Sequence, residues 1–138
     1  MYGTAAAAVI AGALVNAAAV ARAAVCWYGR SGHTITVVAC GERWPEPRED
    51  GLLRVALEDY LGAGAVLSKI ALKKSPEAEV CARTFEACKA DVHRLVHDCG
   101  SGRELCNRGY AADVEQAAQV DLYDVVPILR NGRFERMQ

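Results

Sequence analysis

Residues 34–45 read Thr34-Ile35-Thr36-Val37-Val38-Ala39-Cys40-Gly41-Glu42-Arg43-Trp44-Pro45. The β-branched run predicts a strand over residues 34–39, closed by Cys40 and released by Gly41 into a charged loop that carries Pro45, Pro47 and Gly51. Outward from this strand the elements alternate. Ala6 to Leu14 reads as a short buried strand, Asn16 is placed to N-cap a helix running to about Trp27, and Gly29 to Gly32 is a loop. Downstream, Leu52 to Leu72 reads as a second helix, apolar nearly all round and so packed on more than one side. Ser75-Pro76 opens a third, with apolar residues at 78, 81, 82, 85, 88, 92, 95, 96 and 99, a 3.6-residue period. Ser101 to Glu104 has the form of a capping box for a short helix ending near Gly109. Ala111 to Val120 follows as another helix, Asp124 to Arg130 as a last strand, and Asn131-Gly132 turns the chain toward Phe134. The order implies an α/β fold: a small mixed sheet with helices packed on it. The 138 residues suffice for one domain, residues 1–138, and not for two. Three strands are few for this much helix, so the chain reads as a truncated version of a larger α/β enzyme.

Composition removes several function classes. Hydrophobic residues make up 52% and charged residues 24%, which excludes a disordered chain. Lys and Arg number 16 against 17 Asp and Glu, for a net charge of -1. Nucleic acid is therefore not an expected partner, since phosphate-backbone binding needs a basic surface. Ala5 to Ala21 is apolar apart from Asn16, and Ala21-Arg22-Ala23 has the look of a signal-peptide cleavage site. No Lys or Arg precedes that run, and few of its residues are bulky. A buried strand followed by an Ala-rich packing helix is the preferred reading, with no membrane association.

The six cysteines leave an exported, disulfide-stapled domain as a rival. Their placement argues for free thiols. Cys81 and Cys88 share one helical stripe at seven residues' spacing, about 10.5 Å along the axis, whereas a disulfide needs Cα atoms within about 7 Å. No CxxC pair occurs. Reduced, buried cysteines acting as small hydrophobes are expected, and with them a cytoplasmic location.

The first candidate for chemistry is Gly41-Glu42-Arg43, directly after the predicted strand, where ligands bind in open α/β sheets. Gly41 permits close backbone approach, Glu42 offers a metal-ligating or basic carboxylate, and Arg43 offers a fork for an oxyanion. A surface turn with an ion pair is the alternative. Glu58-Asp59 is the second candidate: two carboxylates in an apolar stretch need a partner, a metal or a proton, unless they line an edge facing water. Gly62 and Gly64 just beyond them point to close approach by a strand or a ligand. His93 and His97 have metal-ligand spacing, flanked by Asp91 and Asp98, but no third ligand is placed to join them; a solvated helix face is the preferred reading.

Several ordered blocks resemble the 2-phosphosulfolactate phosphatase family. They are Asn16 to Arg22, Thr36 to Pro45, Ala56 to Ala65, Cys99 to Leu105, Gly109 to Val114 and Asp124 to Leu129, spanning the chain from about Ala11 to Phe134. The resemblance implies a magnesium-dependent acid phosphatase, acting on a small anionic phosphate ester such as the phosphorylated sulfonated lactate on the route to coenzyme M. Matching motif positions put Glu42, Arg43, Glu58 and Asp59 in catalytic roles, Asn16, Gly41 and Arg43 at the substrate, and Mg2+ on Glu42, Glu58 and Asp59. Family members are longer, and the amino-terminal half, with an Asp-Val-Leu-Arg-type segment, has no counterpart here. Tyr2-Gly3-Thr4 stands where the family carries Asn-Gly-Thr. Two further expectations follow: a catalytically silent remnant serving as a binding module is the rival function, and an exposed strand edge makes a homo-oligomer the expected assembly.

Overall fold

The computed structural model describes residues 6–44 and 51–137. Pro45 and Pro47 of the turn-rich loop, and Tyr2 to Thr4, lie outside the described residues.

Helix α1 (Ala17–Ser31) follows a 3-10 turn at Leu14–Asn16 and buries Ala17, Ala19, Val20, Ala21 and Ala23. Small side chains on that face let it lie close to α2 (Leu57–Ser68), which runs through the middle of the molecule. On α2, Leu61, Ala65 and Val66 are buried. Helix α3 (Pro76–Cys88) starts as its sequence predicts, with the Ser75 hydroxyl accepting from the Ala78 N–H at 3.3 Å. Gly64 is where α2 and α3 meet: a Cβ there would stand 2.6 Å from the Cys81 carbonyl oxygen and 2.8 Å from Phe85 Cβ. The close approach is thus made by a helix, in place of the strand or ligand expected. Phe85, fully buried, fills the space beside this contact, and Val92, Val96 and Val114 complete the core from α4 (Val92–Asp98) and α6 (Ala111–Ala117). Between α4 and α6 lies α5 (Gly100–Asn107).

The strands form two antiparallel ribbons. In the first, β1 (Glu42–Arg43) pairs with β2 (Leu53–Arg54), setting Glu42 opposite Arg54. In the second, β3 (Pro127–Arg130) pairs with β4 (Arg133–Arg136) across Asn131-Gly132, both at positive φ (51° and 79°), as the two-residue hairpin turn requires. The amino-terminal segment lies along the other edge of β3. Ile10 bridges Ile128, the Ala11 N–H donates to the Pro127 carbonyl, and the Leu129 N–H donates to the Val9 carbonyl, both at 2.9 Å.

The α/β class therefore stands, with corrections to its parts. The first helix runs on to Ser31, through residues 29–31, which were expected as loop. Residues 6–14 contribute one bridge, not a strand. Residues 34–40 form no ladder with any described residue, although Ile35 packs on the core. The second helix begins at Leu57, because residues 53 and 54 are drawn into the ribbon. The third helix breaks at a 3-10 turn, Lys89–Asp91. The apolar period misses that break because all three turn residues are exposed, and Val92 returns in the register a continuous helix would have. All six cysteines are free, but Cys26 and Cys40 are exposed, contrary to the expected burial. Among the described residues no helix is long and apolar enough to cross a membrane.

Candidate functional site

Glu58 and Asp59 occupy the first turn of α2, where the helix dipole favours negative charge. Each is held by a different part of the chain. The Gly41 N–H donates to Asp59 Oδ2 at 2.7 Å. Gly41 sits at φ 71°, and a Cβ there would meet the Arg54 carbonyl oxygen at 2.9 Å, so the position demands glycine on two counts. Glu58 Oε1 accepts from the buried Ser101 hydroxyl, and the Cys99 thiol lies 3.4 Å from Glu58 Oε2. Cys99 is also the N-cap of α5, its sulfur accepting from the Gly102 N–H at 3.4 Å. The Glu58 carboxylate thus stands where the positive ends of two helices meet.

The expected capping box at Ser101 and Glu104 is not formed. Helix α5 starts two residues earlier, with Cys99 as its N-cap, and both side chains serve the site: Ser101 turns to Glu58, and Glu104 accepts from Arg54 at 2.7 Å. Arg54 also pairs with Glu42 and lies over the Trp44 ring, 4.8 Å from its centroid. The hydrogen bonds Arg54 donates to Glu104, then to Glu42, push its pKa further above its ordinary value, and the bond to Glu104 holds that carboxyl below its own. Sequence reading missed Arg54. The signal is the cross-strand pair Glu42–Arg54, hidden because the apolar run from Leu52 carries residues 53 and 54 into a helical pattern.

Of the predicted site residues, Gly41, Glu42, Glu58 and Asp59 are brought together by these bonds. Arg43 is exposed and donates to the Gly51 carbonyl at 3.2 Å; strand alternation sets it on the ribbon face opposite to Glu42. Asn16 is elsewhere engaged. Its Oδ1 accepts from the Ala13 N–H at 2.8 Å, and its Nδ2 donates to the carbonyls of Ala11 (3.3 Å) and Val125 (3.1 Å). It makes no side-chain cap for α1. His93 pairs with Glu115, and His97 with Asp98, whose carboxyl is held low chiefly by that bond. A groove lined by Ala18, Arg22, Val25, Cys26 and Lys69 shares no residue with the carboxylate cluster.

Among the described residues no three His, Cys, Asp or Glu side chains gather as a metal cage. Glu42, expected as an ion ligand, is paired with Arg54 instead. Glu58 and Asp59 remain as oxygen donors, but as consecutive helical residues they project about 100° apart and turn to different partners, Ser101 and Gly41. One of these carboxylates, completed by substrate phosphate and water, is a donor set that suits Mg2+.

Fold and cluster together define a largely helical α/β domain whose polar chemistry is concentrated at the start of its central helix. The chain belongs to the 2-phosphosulpholactate phosphatase family, whose model matches residues 3–132. It is 26% identical over 101 residues to a protein of Pseudothermotoga lettingae named "probable 2-phosphosulfolactate phosphatase", covering 72% of this chain and 41% of that one. A Carboxydothermus hydrogenoformans protein of the same name is 35% identical over 82 residues (56% of this chain, 34% of its own). One from Thermosynechococcus vestitus is 30% identical over 119 residues (86% and 48%). The chain spans less than half the length of these relatives.

Proposed function

We propose that this chain acts as a hydrolase on a phosphate monoester of a small anionic acid of the 2-phosphosulfolactate type, with Mg2+ held at Glu58. The observation that carries the reading is the double anchoring of Glu58-Asp59, by Ser101 on one side and by Gly41 on the other. It draws three family-matching blocks to one place. Bound Mg2+ would neutralise charge on the phosphoryl oxygens. Asp59, fixed by the Gly41 amide, orients the attacking water and takes its proton; the new P–O bond forms as the ester P–O bond breaks, and the alcohol oxygen leaves with a proton from solvent. Glu58, fixed by Ser101, would hold the ion. Arg43, which lies on the opposite face of the ribbon and donates to the Gly51 carbonyl, would have to turn across the ribbon to take the carboxylate or sulfonate of the substrate.

The test is phosphate release from 2-phosphosulfolactate and from a panel of other phosphomonoesters, with magnesium and with a chelator. Release that needs magnesium and falls about a hundredfold or more in Glu58→Gln and Asp59→Asn is the expected result. Arg43→Ala should weaken ester binding more than Lys73→Ala; equal losses would remove Arg43 from the site. A binding module that holds the ester without cleaving it is the second reading, favoured by the engagement of both carboxylates with donors of the protein itself. Ester binding with no phosphate released by the folded chain would establish that reading in place of the first.

A further inference from the structure

We propose that Arg54 is the positioning residue of this site, locking the Gly41–Arg43 strand end to the first turns of α5 by pairing with Glu42 and Glu104 at once. The inference rests on reading the Glu58-Asp59 cluster as the place of ester chemistry.

The bonds around Arg54 form a closed circuit. Arg54 on β2 binds Glu104 on α5; α5 carries Ser101 to Glu58; Glu58 adjoins Asp59 on α2; Asp59 takes the Gly41 amide; and Gly41 leads into Glu42, which returns to Arg54. Each link restrains the others, so the two carboxylates of α2 are held relative to both neighbours only while the circuit is complete. Arg54 is the member that no other residue replaces. Its side chain is 16% exposed, against 37% for Glu42 and 58% for Glu104, so two carboxylates converge on one enclosed cation. Removing that cation leaves like charges facing each other and drives the ribbon from α5. The planar fork binds two carboxylates and stacks on Trp44 together, which a lysine ammonium does not reproduce.

This role is separable from folding. No residue of strands 42–43 or 53–54 belongs to the hydrophobic core, which is built from the helices with Ala56, Ile70 and Ala118 beside them, the first 3-10 turn and Ile128. Loss of Arg54 therefore loosens the site and leaves the core packed.

Trp44 supplies a readout that does not depend on turnover. In a Trp27→Phe background, Arg54→Lys and Arg54→Met are compared with Arg54 by acrylamide quenching of Trp44, by circular dichroism, and by phosphate release from 2-phosphosulfolactate with magnesium. We expect unchanged helix content, stronger quenching in both variants, and kcat lower by about tenfold or more with KM less affected, lysine giving no rescue. Unchanged Trp44 quenching in Arg54→Met would overturn the clamp. Full activity in Arg54→Lys, or a quenching change with kcat intact, would overturn the positioning role. An inactive Arg54 parent defeats the functional reading itself, a result seen before any variant is compared, and the positioning role falls with it.

Discussion

The Gly41 amide and the Asp59 carboxylate, 2.7 Å apart, tie the end of the β-branched segment to the start of the central helix. Neither residue has this role by local structure alone. Gly41 needs its left-handed backbone to aim the N–H, and Asp59 needs the helix to begin at Leu57 and no earlier. Asp59→Ala should destabilise the fold by about 2 kcal/mol, with Asp59→Asn, which keeps an acceptor oxygen, losing about half as much. Urea denaturation of the two variants checks this, and equal stability of all three proteins would mean that the bond contributes nothing.

Asn16 makes three hydrogen bonds from a buried position and joins the amino-terminal segment to Val125. Asn16→Ala should lower stability by about 2 kcal/mol, since it removes a buried amide and takes the side-chain partner from three backbone groups, two of them on partly buried residues. Asn16→Asp should also be destabilised, because it loses both donor bonds. Thermal unfolding reads this directly. Unaltered melting of Asn16→Ala together with weakened ester binding would return Asn16 to the substrate.

The Arg54 bond sets a pH dependence. Glu104 has its carboxyl pKa lowered from 4.5 in the folded chain, so its contribution to stability is complete above that value and is lost as pH falls through the lower, folded value. Wild type should therefore exceed Glu104→Gln in stability near neutrality, and the two should converge as pH falls below 4.5 through the lowered, folded value. A gap that stays constant across that range would show that ionisation of Glu104 is irrelevant.

Thiol chemistry should divide the six cysteines. Cys26 and Cys40 are exposed, whereas Cys81 is buried, its pKa is pushed up by that burial, and its thiol lies 3.5 Å from the Tyr60 carbonyl oxygen. Brief iodoacetamide treatment of the native protein should mark Cys26 and Cys40 first and Cys81 last, as read by peptide mass spectrometry. Early labelling of Cys81 would contradict the packing of α2 on α3.

Local chemistry made much of this fold legible. The Ser75-Pro76 start of α3, the Asn131-Gly132 hairpin and the Ala-rich α1 all carry their instructions within a few residues. What was illegible depends on partners distant in sequence. A β-branched run such as residues 34–38 becomes a strand only beside another strand. The side chains of Asn16 and Ser101 had two sensible uses, a helix cap or a bond across the molecule, and in both the long-range bond prevails. Glu42, Glu58 and Asp59 stood out as charges in apolar or turn-rich surroundings. Arg54 did not, because its meaning lies in the cross-strand register with Glu42 and in Glu104, fifty residues away.

Val38 and Leu53 are each 70% exposed and Val55 85%, beside a segment that forms no ladder with any described residue. In handling, this should make the purified protein sticky. Its light scattering should climb steeply with concentration and with added ammonium sulfate, and Val55→Lys should raise the concentration at which turbidity sets in.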